Sequence, residues 1–310
     1  MALMPQSSPD YPMKPVRLIE PFGVGGGPDL VGRALAQKLT EQWGQPVTMV
    51  NIPGVGATAG PAQVAKSPSD GYTLLVNSSA QACSAALLKN LPYDSLKDFI
   101  PVAPLTSQPY VLVAGKLAGI TTVRELIAAS KAKPGQLKFG STGMGTGSHL
   151  GIEKFNLAAN IMAVHLPARP GEGIVGTIAD TTAGRTDYLL APIQLALADI
   201  CEGRLCPLGV STKKRSSLLP EVPTVAEAGV ANFDYRIWYG VWAPAGTPAG
   251  VVDKLAKDIA RAMSAPDLRE RIAKHAGDPI YMTQPEFAHF VLTESESAAS
   301  VIEAAGNKPQ

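Results

Sequence analysis

Hydrophobic residues follow two alternating patterns along the chain. The first apolar run, Val-Arg-Leu-Ile at 16–19, predicts a strand. Behind it, apolar residues spaced three and four positions apart predict a helix: Leu30, Val31, Ala34, Leu35 and Leu39. The same alternation predicts strands at 47–50, 72–76, 110–113, 137–141, 162–166, 187–190 and 205–210. Helices are predicted between them, at 57–66, 80–88, 123–131, 148–158, 172–181 and 193–202. Strands that alternate with helices favour an α/β fold with parallel sheets covered on both faces.

The last third of the chain has a different pattern. An aromatic, strand-like segment spans 235–242, and helices are predicted at 251–264, 266–275 and 284–305. The last helix carries a broken apolar stripe, which predicts packing on the protein core. Its acidic residues Glu294, Glu296 and Glu303 do not suit an anionic membrane surface.

Composition excludes several classes of protein. A length of 310 residues, at roughly 100–200 residues per domain, predicts two domains. Hydrophobic residues make up 45% and charged residues 17%, which predicts a buried core and not a disordered chain. The 27 Lys and Arg residues balance 26 Asp and Glu residues, so nucleic acid is a poor partner. No apolar stretch approaches the ~18 residues that a membrane helix needs.

Cysteine usage and the N-terminal segment say little about compartment. The three cysteines, Cys83, Cys201 and Cys206, are too few for a disulfide framework and lack metal-site spacing. Residues 1–11 have neither a basic start nor an apolar core, so they do not form an export signal. The protein is therefore cytoplasmic, or the printed sequence begins at a mature terminus.

Two glycine-rich turns, each between a strand and a helix, are the chemically informative features. The first spans Pro21–Asp29 and the second Phe139–His149. Glycines let a backbone approach a ligand closely, and a helix N-terminus favours an anion. In the second turn Ser141, Thr142 and Ser148 add hydroxyls that can bind a carboxylate. Each turn alone is equally well read as an ordinary strand–helix connection, but two in successive α/β series favour binding.

Enzyme motifs are mostly absent. No nucleoside-triphosphate loop G-x-x-x-x-G-K-[ST] and no nucleophile elbow G-x-S-x-G occur in the chain. Ser148 and His149 are neighbours on a helix and point about 100° apart, which does not make a nucleophile–base pair. No H-E-x-x-H or comparable metal spacing is present. We expect no catalytic residue, no metal and no cofactor.

An ordered set of short motifs resembles one family of binding proteins. The motifs are Tyr-Pro-Met-Lys-Pro at 11–15, the turn at 21–29, Asp-Gly-Tyr-Thr-Leu at 70–74, and segments 91–94, 97–99, 145–149, 219–229 and 243–248. With these motifs in this order, the chain resembles the extracytoplasmic solute receptors of tripartite tricarboxylate transporters, the Bug-type binding proteins, from about Tyr11 to Ala305. The resemblance implies a type II periplasmic-binding-protein fold. Such a fold has two lobes, each with a mostly parallel sheet flanked by helices, and a ligand cleft between them.

The resemblance also implies a domain division and a biological role. Lobe one would comprise 1–114 and 236–310 and lobe two 115–235, with hinges near 114–121 and 232–237. The protein would be periplasmic, its export signal removed, and would deliver a small carboxylate to the membrane permease subunits of such a transporter. We expect a monomer that binds no nucleic acid.

Carried over residue by residue, the family places the ligand between the two turns. The implied ligand-binding residues are Phe22, Val24, Gly25, Gly26, Gly27 and Asp29 in the first turn, Ser141, Thr142, Gly143, Thr146, Ser148 and His149 in the second, and Ser78, Ser79, Arg169 and Ala191. The first turn departs from the family pattern, with Gly23-Val24 in place of a more usual proline-rich start.

Two further departures bear on the choice of ligand. Where the family commonly has Val-Pro-Tyr-Lys-Gly-Gly, this chain has Leu-Pro-Ala-Arg-Pro-Gly at 166–171. Arg169 either binds a second carboxylate or faces solvent. Leu190-Ala-Pro192 replaces the family's frequent Phe-Asp-Asn, so no acidic group remains there for an amino group. We therefore expect a non-amino acid, such as a dicarboxylate or an aromatic acid.

Two other functions stay open on the residues alone. One is a hydrolase or isomerase on the same fold that uses His149 or Arg169 with Ser148. The other is a ligand sensor that signals to a membrane kinase.

Overall fold

The computed structural model of the protein describes residues 11–54, 57–87, 91–169, 171–274 and 277–306. The N-terminal segment 1–10, on which the expectation about an export signal rests, lies outside these residues. So do Leu88 and His275, with which two of the predicted helices end.

One group of elements, which we call the first lobe, comes from both ends of the chain. Its N-terminal elements are β1 (Val16–Glu20), α1 (Gly27–Trp43), β2 (Val47–Asn51), α2 (Ala59–Ala65), β3 (Thr73–Ser78) and α3 (Ala80–Leu87). The C-terminal part adds β9 (Arg236–Pro244), α8 (Ala249–Ser264), α9 (Pro266–Ala273), β10 (Asp278–Pro279) and α10 (Gln284–Ala304). Two of these helices begin at residues that favour a helix N-terminus. Pro28 lies in the first turn of α1, and Thr283 and Glu286 form a capping box on α10.

A second group of elements, which we call the second lobe, comes from the middle of the chain. Its elements are α4 (Val123–Ala132), β5 (Lys138–Ser141), α5 (Gly147–Ala159), β6 (Val164–Pro167), α6 (Gly173–Thr182), β7 (Tyr188–Pro192), α7 (Ile193–Cys201) and β8 (Leu205–Val210). A long strand, β4 (Phe99–Gly115), leads into this lobe, and β9 follows it. The alternating strands and helices predicted from the sequence are confirmed in both lobes.

The strands join in the order β2-β1-β3-β9-β4-β7-β5-β6, with β8 and β10 paired to β4. Strand β1 pairs in parallel with β2 and β3, and β5 pairs in parallel with β6 and β7. The strands that connect the two parallel groups, β4 and β9, pair antiparallel with their neighbours. The expected parallel pairing therefore holds within each lobe, while the two connecting strands run against it.

Strand β4 belongs to both lobes. Its first part, Phe99–Pro109, pairs with β9, and its last part, Tyr110–Gly115, pairs with β7 and β8. The sequence predicted only 110–113 of this strand, because Pro101, Pro104 and Pro109 are residues that usually interrupt strands. The ladder with β9 accommodates two of these prolines by register shifts between Pro101 and Ala103 and between Pro104 and Ser107.

Aromatic side chains form the core on the outer side of the connecting strands. Trp238 packs against Trp242, Phe287 and Phe290, with ring centroids 6.0, 5.8 and 5.0 Å away. This cluster anchors α10 to β9, as the apolar stripe of that helix predicted. Among the residues that the structure describes, no helix combines the length and apolar composition needed to cross a membrane.

Candidate functional site: a cavity between two glycine-rich turns

A cavity of about 260 Å³ lies where the two lobes face each other. Residues of both glycine-rich turns line it, together with the starts of α1, α5 and α6 and parts of β4 and β9. The lining residues are Phe22, Gly23, Val24, Gly26, Gly27, Pro28, Ser78, Tyr110, Thr142, Thr146, Gly147, Ser148, Gly171, Glu172, Gly173, Ile174, Val175, Pro192, Ile237 and Tyr239.

The first turn brings the N-terminus of α1 into the cavity wall. Gly25 has a φ of +86°, a conformation that side-chain-bearing residues rarely adopt. Gly27 has no room for a side chain, because a Cβ there would overlap the Tyr239 hydroxyl and lie 2.8 Å from Gln108 Nε2. Glycine at these two positions is thus required by the backbone conformation and by close packing.

Asp29 holds the first turn from below. It is almost fully buried, and its carboxylate accepts hydrogen bonds from Gly25 N (2.9 Å), Arg33 Nε (3.0 Å) and Asn51 Nδ2 (2.9 Å). Burial alone would raise the pKa of Asp29, but the hydrogen bonds from Arg33, Gly25 and Asn51 leave it below its ordinary value. The carboxylate is therefore ionised and ties the start of α1 to the loop before it.

Glu20 is a second buried acid beside this network. Its Oε2 accepts hydrogen bonds from Phe22 N (3.0 Å) and Asn51 Nδ2 (2.7 Å). Burial raises the pKa of Glu20 to about 8, and the hydrogen bonds from Asn51 and Phe22 offset this only in part. At neutral pH Glu20 is mostly protonated, so the first turn rests on one ionised and one neutral carboxyl group.

Hydroxyl groups organise the second turn. Ser148 Oγ accepts a hydrogen bond from Thr142 N (3.1 Å) and lies 3.1 Å from Thr142 Oγ1 and 3.2 Å from Thr146 Oγ1. Thr146 Oγ1 also donates to Gly143 O at 2.7 Å. These contacts keep Thr142, Thr146 and Ser148 together at the N-terminus of α5, and all three line the cavity.

A buried histidine, His149, and a half-buried one, His165, lie beneath the second turn. His165 Nε2 lies 2.6 Å from Ser141 Oγ, and the His149 and His165 ring centroids are 4.4 Å apart. Burial lowers the pKa of His165 to about 4. Burial also lowers the pKa of His149 to about 3, with a smaller contribution from its electrostatic interaction with the His165 ring. Both rings are therefore neutral at pH 7.

The connecting strands supply the remaining wall. Ile237 and Tyr239 of β9 line the cavity, whereas Trp238 between them faces the aromatic core on the other side. The Tyr239 hydroxyl is hydrogen-bonded to Gln108 Nε2, and burial raises the pKa of Tyr239 well above its usual range. Tyr239 is a neutral donor or acceptor at the back of the cavity.

The cavity offers almost no charge. Among the lining residues that the structure describes, Glu172 alone is formally charged, and its Oε1 is paired with Arg169 Nη1 at 3.1 Å. Hydroxyl side chains line the cavity, and so do residues at helix starts, where the first backbone N–H groups have no partner within their own helices. Such a site suits an anion held by neutral donors.

Half of the sixteen sequence-predicted site residues line the cavity. These are Phe22, Val24, Gly26, Gly27, Ser78, Thr142, Thr146 and Ser148. Another five lie in the turns without lining the cavity: Gly25, Asp29, Ser141, Gly143 and His149. The structure brings both turns to one cavity and separates the residues that line it from those that support the turns.

The other three predicted residues lie elsewhere. Ser79 borders a separate cavity on the opposite side of β9, together with Trp238 and Glu294. Arg169 is exposed and contacts Glu172 and Asp180. Ala191 is fully buried within β7, where it pairs with Val111, and its neighbour Pro192 lines the cavity instead.

Sequence reasoning missed the wall formed by Tyr110, Pro192, Ile237 and Tyr239, and also the start of α6. For β9 a signal was available, because successive side chains of a strand face opposite sides. On the sequence alone Trp238 and Tyr239 could each either line a cleft or pack in the core, and the structure places Tyr239 at the cavity and Trp238 in the outer core.

Among the described residues that line the cavity, no serine or threonine hydroxyl is hydrogen-bonded to an imidazole. Ser148 Oγ contacts Thr142 and Thr146, and the His149 ring is buried, with Nδ1 3.5 Å from Gly145 N. Within the described ranges, no three His, Cys, Asp or Glu side chains are placed to share a metal ion.

Comparison with known proteins identifies the family. The family model described as the tripartite tricarboxylate transporter family receptor matches residues 31–307. The chain belongs to this receptor family. Protein BugT of Bordetella pertussis is 32% identical to it over 98% of this chain and 93% of that protein.

Two solved structures superpose on this chain over nearly its whole length. The Rhodopseudomonas palustris protein Rpa4515, solved with adipate, superposes with a TM-score of 0.88 at 28% identity, over 96% of this chain and 99% of that one. MatC from Rhodopseudomonas palustris, with bound malate, has a TM-score of 0.85 at 28% identity, over 94% of this chain and 100% of that one. The receptor is thus a periplasmic-type solute-binding protein with two lobes, and its family is one of binding proteins, not of enzymes.

Proposed function

We propose that this receptor captures a small carboxylate without an amino group between its two glycine-rich turns and delivers it to the permease subunits of a tripartite tricarboxylate transporter. One observation carries the proposal: the N-termini of α1 and α5, one from each lobe, border the same cavity. Each helix N-terminus carries about half a positive charge, so two of them favour one carboxylate.

The neighbouring hydroxyls complete the proposed carboxylate site. Ser78, Thr142, Thr146 and Ser148 line the cavity and can donate hydrogen bonds. No Lys, Arg or His of the described residues lines it, so the ligand anion is held without an ion pair. Hydrogen bonds without a paired cation keep release to a permease feasible.

The rest of the cavity favours an apolar ligand body. Phe22, Val24, Ile174, Val175 and Ile237 contribute apolar side chains to the lining. The acidic Glu172 of the lining is paired with Arg169, and positions 191 and 192, where the family frequently has an acidic group, carry Ala and Pro. The structural relatives solved with adipate and malate support a dicarboxylate, and an aromatic acid fits the same apolar walls.

We propose further that ligand binding closes the lobes. The chain enters the second lobe along β4 and leaves it before β9, next to the predicted hinges at 114–121 and 232–237. Gly171 O lies 3.6 Å from the position that a Cβ on Gly23 would occupy, so the first turn and the segment before α6 are in close contact at the rim of the cavity. Hinge closure around a ligand is the usual behaviour of two-lobed binding proteins.

Calorimetric titration tests this function. We expect binding of at least one acid from a panel of adipate, malate, glutarate and benzoate, with about 2.7 kcal/mol of added stability at 100 times its Kd. Glutarate and glutamate differ by one amino group, so we expect glutarate to bind more tightly. Ser148→Ala should weaken binding about 10-fold through the loss of one hydroxyl, whereas Ser264→Ala on the outside of α8 should not. Absence of binding across the panel, or tighter binding of glutamate, contradicts the proposal.

A further inference from the structure

His165 lies beneath the second turn and does not line the cavity. It stands on β6 with its ring stacked on Phe139, the ring centroids being 4.9 Å apart. Its Nε2 is 2.6 Å from Ser141 Oγ. Ser141 is fully buried and begins the turn that carries Thr142, Thr146 and Ser148 into the cavity.

The hydrogen bonds of Ser141 bear on which ring nitrogen of His165 carries the proton. Gly143 N donates to Ser141 Oγ at 3.1 Å, so this hydroxyl oxygen already acts as an acceptor. The hydroxyl proton has two acceptors within reach, Gly143 O at 3.2 Å and His165 Nε2 at 2.6 Å. The imidazole is the nearer one. This distance favours a His165 that accepts through Nε2 and carries its own proton on Nδ1.

We propose that His165 is a positioning residue for ligand binding: by accepting the Ser141 hydroxyl proton, it holds the 141–148 turn in the conformation that presents Thr142 and Ser148 to the carboxylate. The inference rests on the proposed carboxylate site. It assigns a function to a side chain that makes no contact with the cavity.

The groups around His165 support a neutral acceptor. From α5, His149 packs against its ring at 4.4 Å between centroids, and Glu153 Oε1 lies 3.6 Å from His149 Nε2. From β7, Tyr188 packs on Phe139, and its hydroxyl donates to Asn156. A protonated His165 would lose its acceptor atom and face a second imidazole. Ligand binding should therefore weaken as His165 becomes protonated in acid.

Two substitutions separate the acceptor from the ring. His165→Phe keeps an aromatic ring to stack on Phe139 but removes the acceptor, and His165→Gln keeps an amide oxygen near Nε2 without the ring. We expect His165→Phe to raise the Kd about 10-fold, since one buried hydrogen bond is worth about that factor, and His165→Gln to recover most of the affinity. His289→Phe, an exposed histidine on α10, is the matched control and should leave the Kd unchanged.

A double-mutant cycle tests whether His165 acts through Ser141. If it does, His165→Phe combined with Ser141→Ala should cost no more affinity than the more damaging single change. The Kd values are measured by calorimetry at pH 7 with the acid of the adipate, malate, glutarate and benzoate panel that binds the wild type most tightly. Equal affinity of His165→Phe and wild type, or additive losses in the cycle, would overturn the inference.

A ligand-free measurement keeps this inference distinct from the proposed function. Nitrogen-15 NMR of the imidazoles should show His165 with an unprotonated Nε2 at pH 7, and Ser141→Ala should shift that resonance. A protonated Nε2 overturns the positioning inference even if acids bind. A wild-type protein that binds no acid of the panel contradicts the proposed function and, with it, any role of His165 in binding.

Discussion

The two glycine-rich turns present similar helix starts to one cavity, yet opposite chemistry supports them from below. Under the first turn lie the carboxyl groups of Glu20 and Asp29 with Arg33 and Asn51. Under the second lie hydroxyls and two neutral imidazoles. The residues of both turns that line the cavity are uncharged. The groups beneath the first turn include Glu20, which ionises at alkaline pH, whereas the histidines beneath the second turn become protonated in acid. The geometry of a site and its sensitivity to pH are thus set by different residues.

Steric tolerance is the sharpest difference between the turns. Gly27→Ala would place a methyl group on the Tyr239 hydroxyl and 2.8 Å from Gln108 Nε2, both deeply buried. We expect a loss of about 2–3 kcal/mol in the free energy of unfolding and no measurable ligand binding. Gly147→Ala meets mainly the tip of Ile237, which can move, so its effect should be smaller. Urea unfolding and calorimetric titration check both, and a larger loss for Gly147→Ala would break the comparison.

Removal of the ionised carboxylate should damage the first turn selectively. Asp29→Ala leaves Gly25 N, Arg33 and Asn51 without their acceptor, and we expect a loss of about 2 kcal/mol in the free energy of unfolding. Glu270→Ala is the control, since Glu270 forms an exposed ion pair with Lys274 that should contribute less than about 1 kcal/mol. Equal losses in urea unfolding would show that the Asp29 network does not hold the turn.

Alkaline pH should weaken the first turn through Glu20. Its pKa rises from an ordinary value of 4.5 to about 8 on folding, so the folded state binds the extra proton between these values. The contribution to stability is complete below pH 4.5 and is lost as the pH rises through about 8. Glu20→Gln should flatten this dependence in urea unfolding between pH 6 and 9. An unchanged slope would show that Glu20 is ionised in the folded protein.

Acid should weaken the second turn through its histidines. Their pKa values fall from 6.5 to about 4 for His165 and about 3 for His149, so the unfolded chain binds more protons between pH 4 and 6.5. Stability is therefore lost as the pH falls from 6.5 toward these values. The slope between pH 5 and 6.5, where few carboxylates titrate, should be smaller in His165→Gln and unchanged in His289→Gln. Identical slopes in the three proteins would contradict the conclusion that His165 is neutral in the folded protein.

Local sequence signals predicted much of the fold and both turns. Strand and helix periodicity, Pro28 at the start of α1, and the glycines of 23–27 and 143–147 are all features of adjacent residues. The shortfall in β4 arose because its prolines resemble a loop, and only pairing with β9 reveals the strand. Parallel series of strands and helices likewise did not indicate that β4 and β9 run antiparallel.

The sequence predicted where the candidate site lies, but not which of its residues line the cavity and which support the turns. Of the sequence neighbours Ser141 and Thr142 only Thr142 lines the cavity, and of Ser78 and Ser79 only Ser78 does, because side-chain direction depends on the folded backbone. Tyr110, Ile237 and Tyr239 are distant in sequence from both turns, so only the strand pairing brings them to the cavity. Arg169 was a candidate from its residue type, whereas its ion pairs with Glu172 and Asp180 hold it outside the cavity.

A crystal structure of the receptor with its tightest-binding acid tests the central claim most directly. We predict that one carboxylate lies between the helix starts at Gly27 and Gly147, accepts backbone N–H hydrogen bonds from both lobes, and contacts the Ser148 hydroxyl. An acid bound by one lobe only, or in the cavity beside Ser79 and Trp238, would contradict the account.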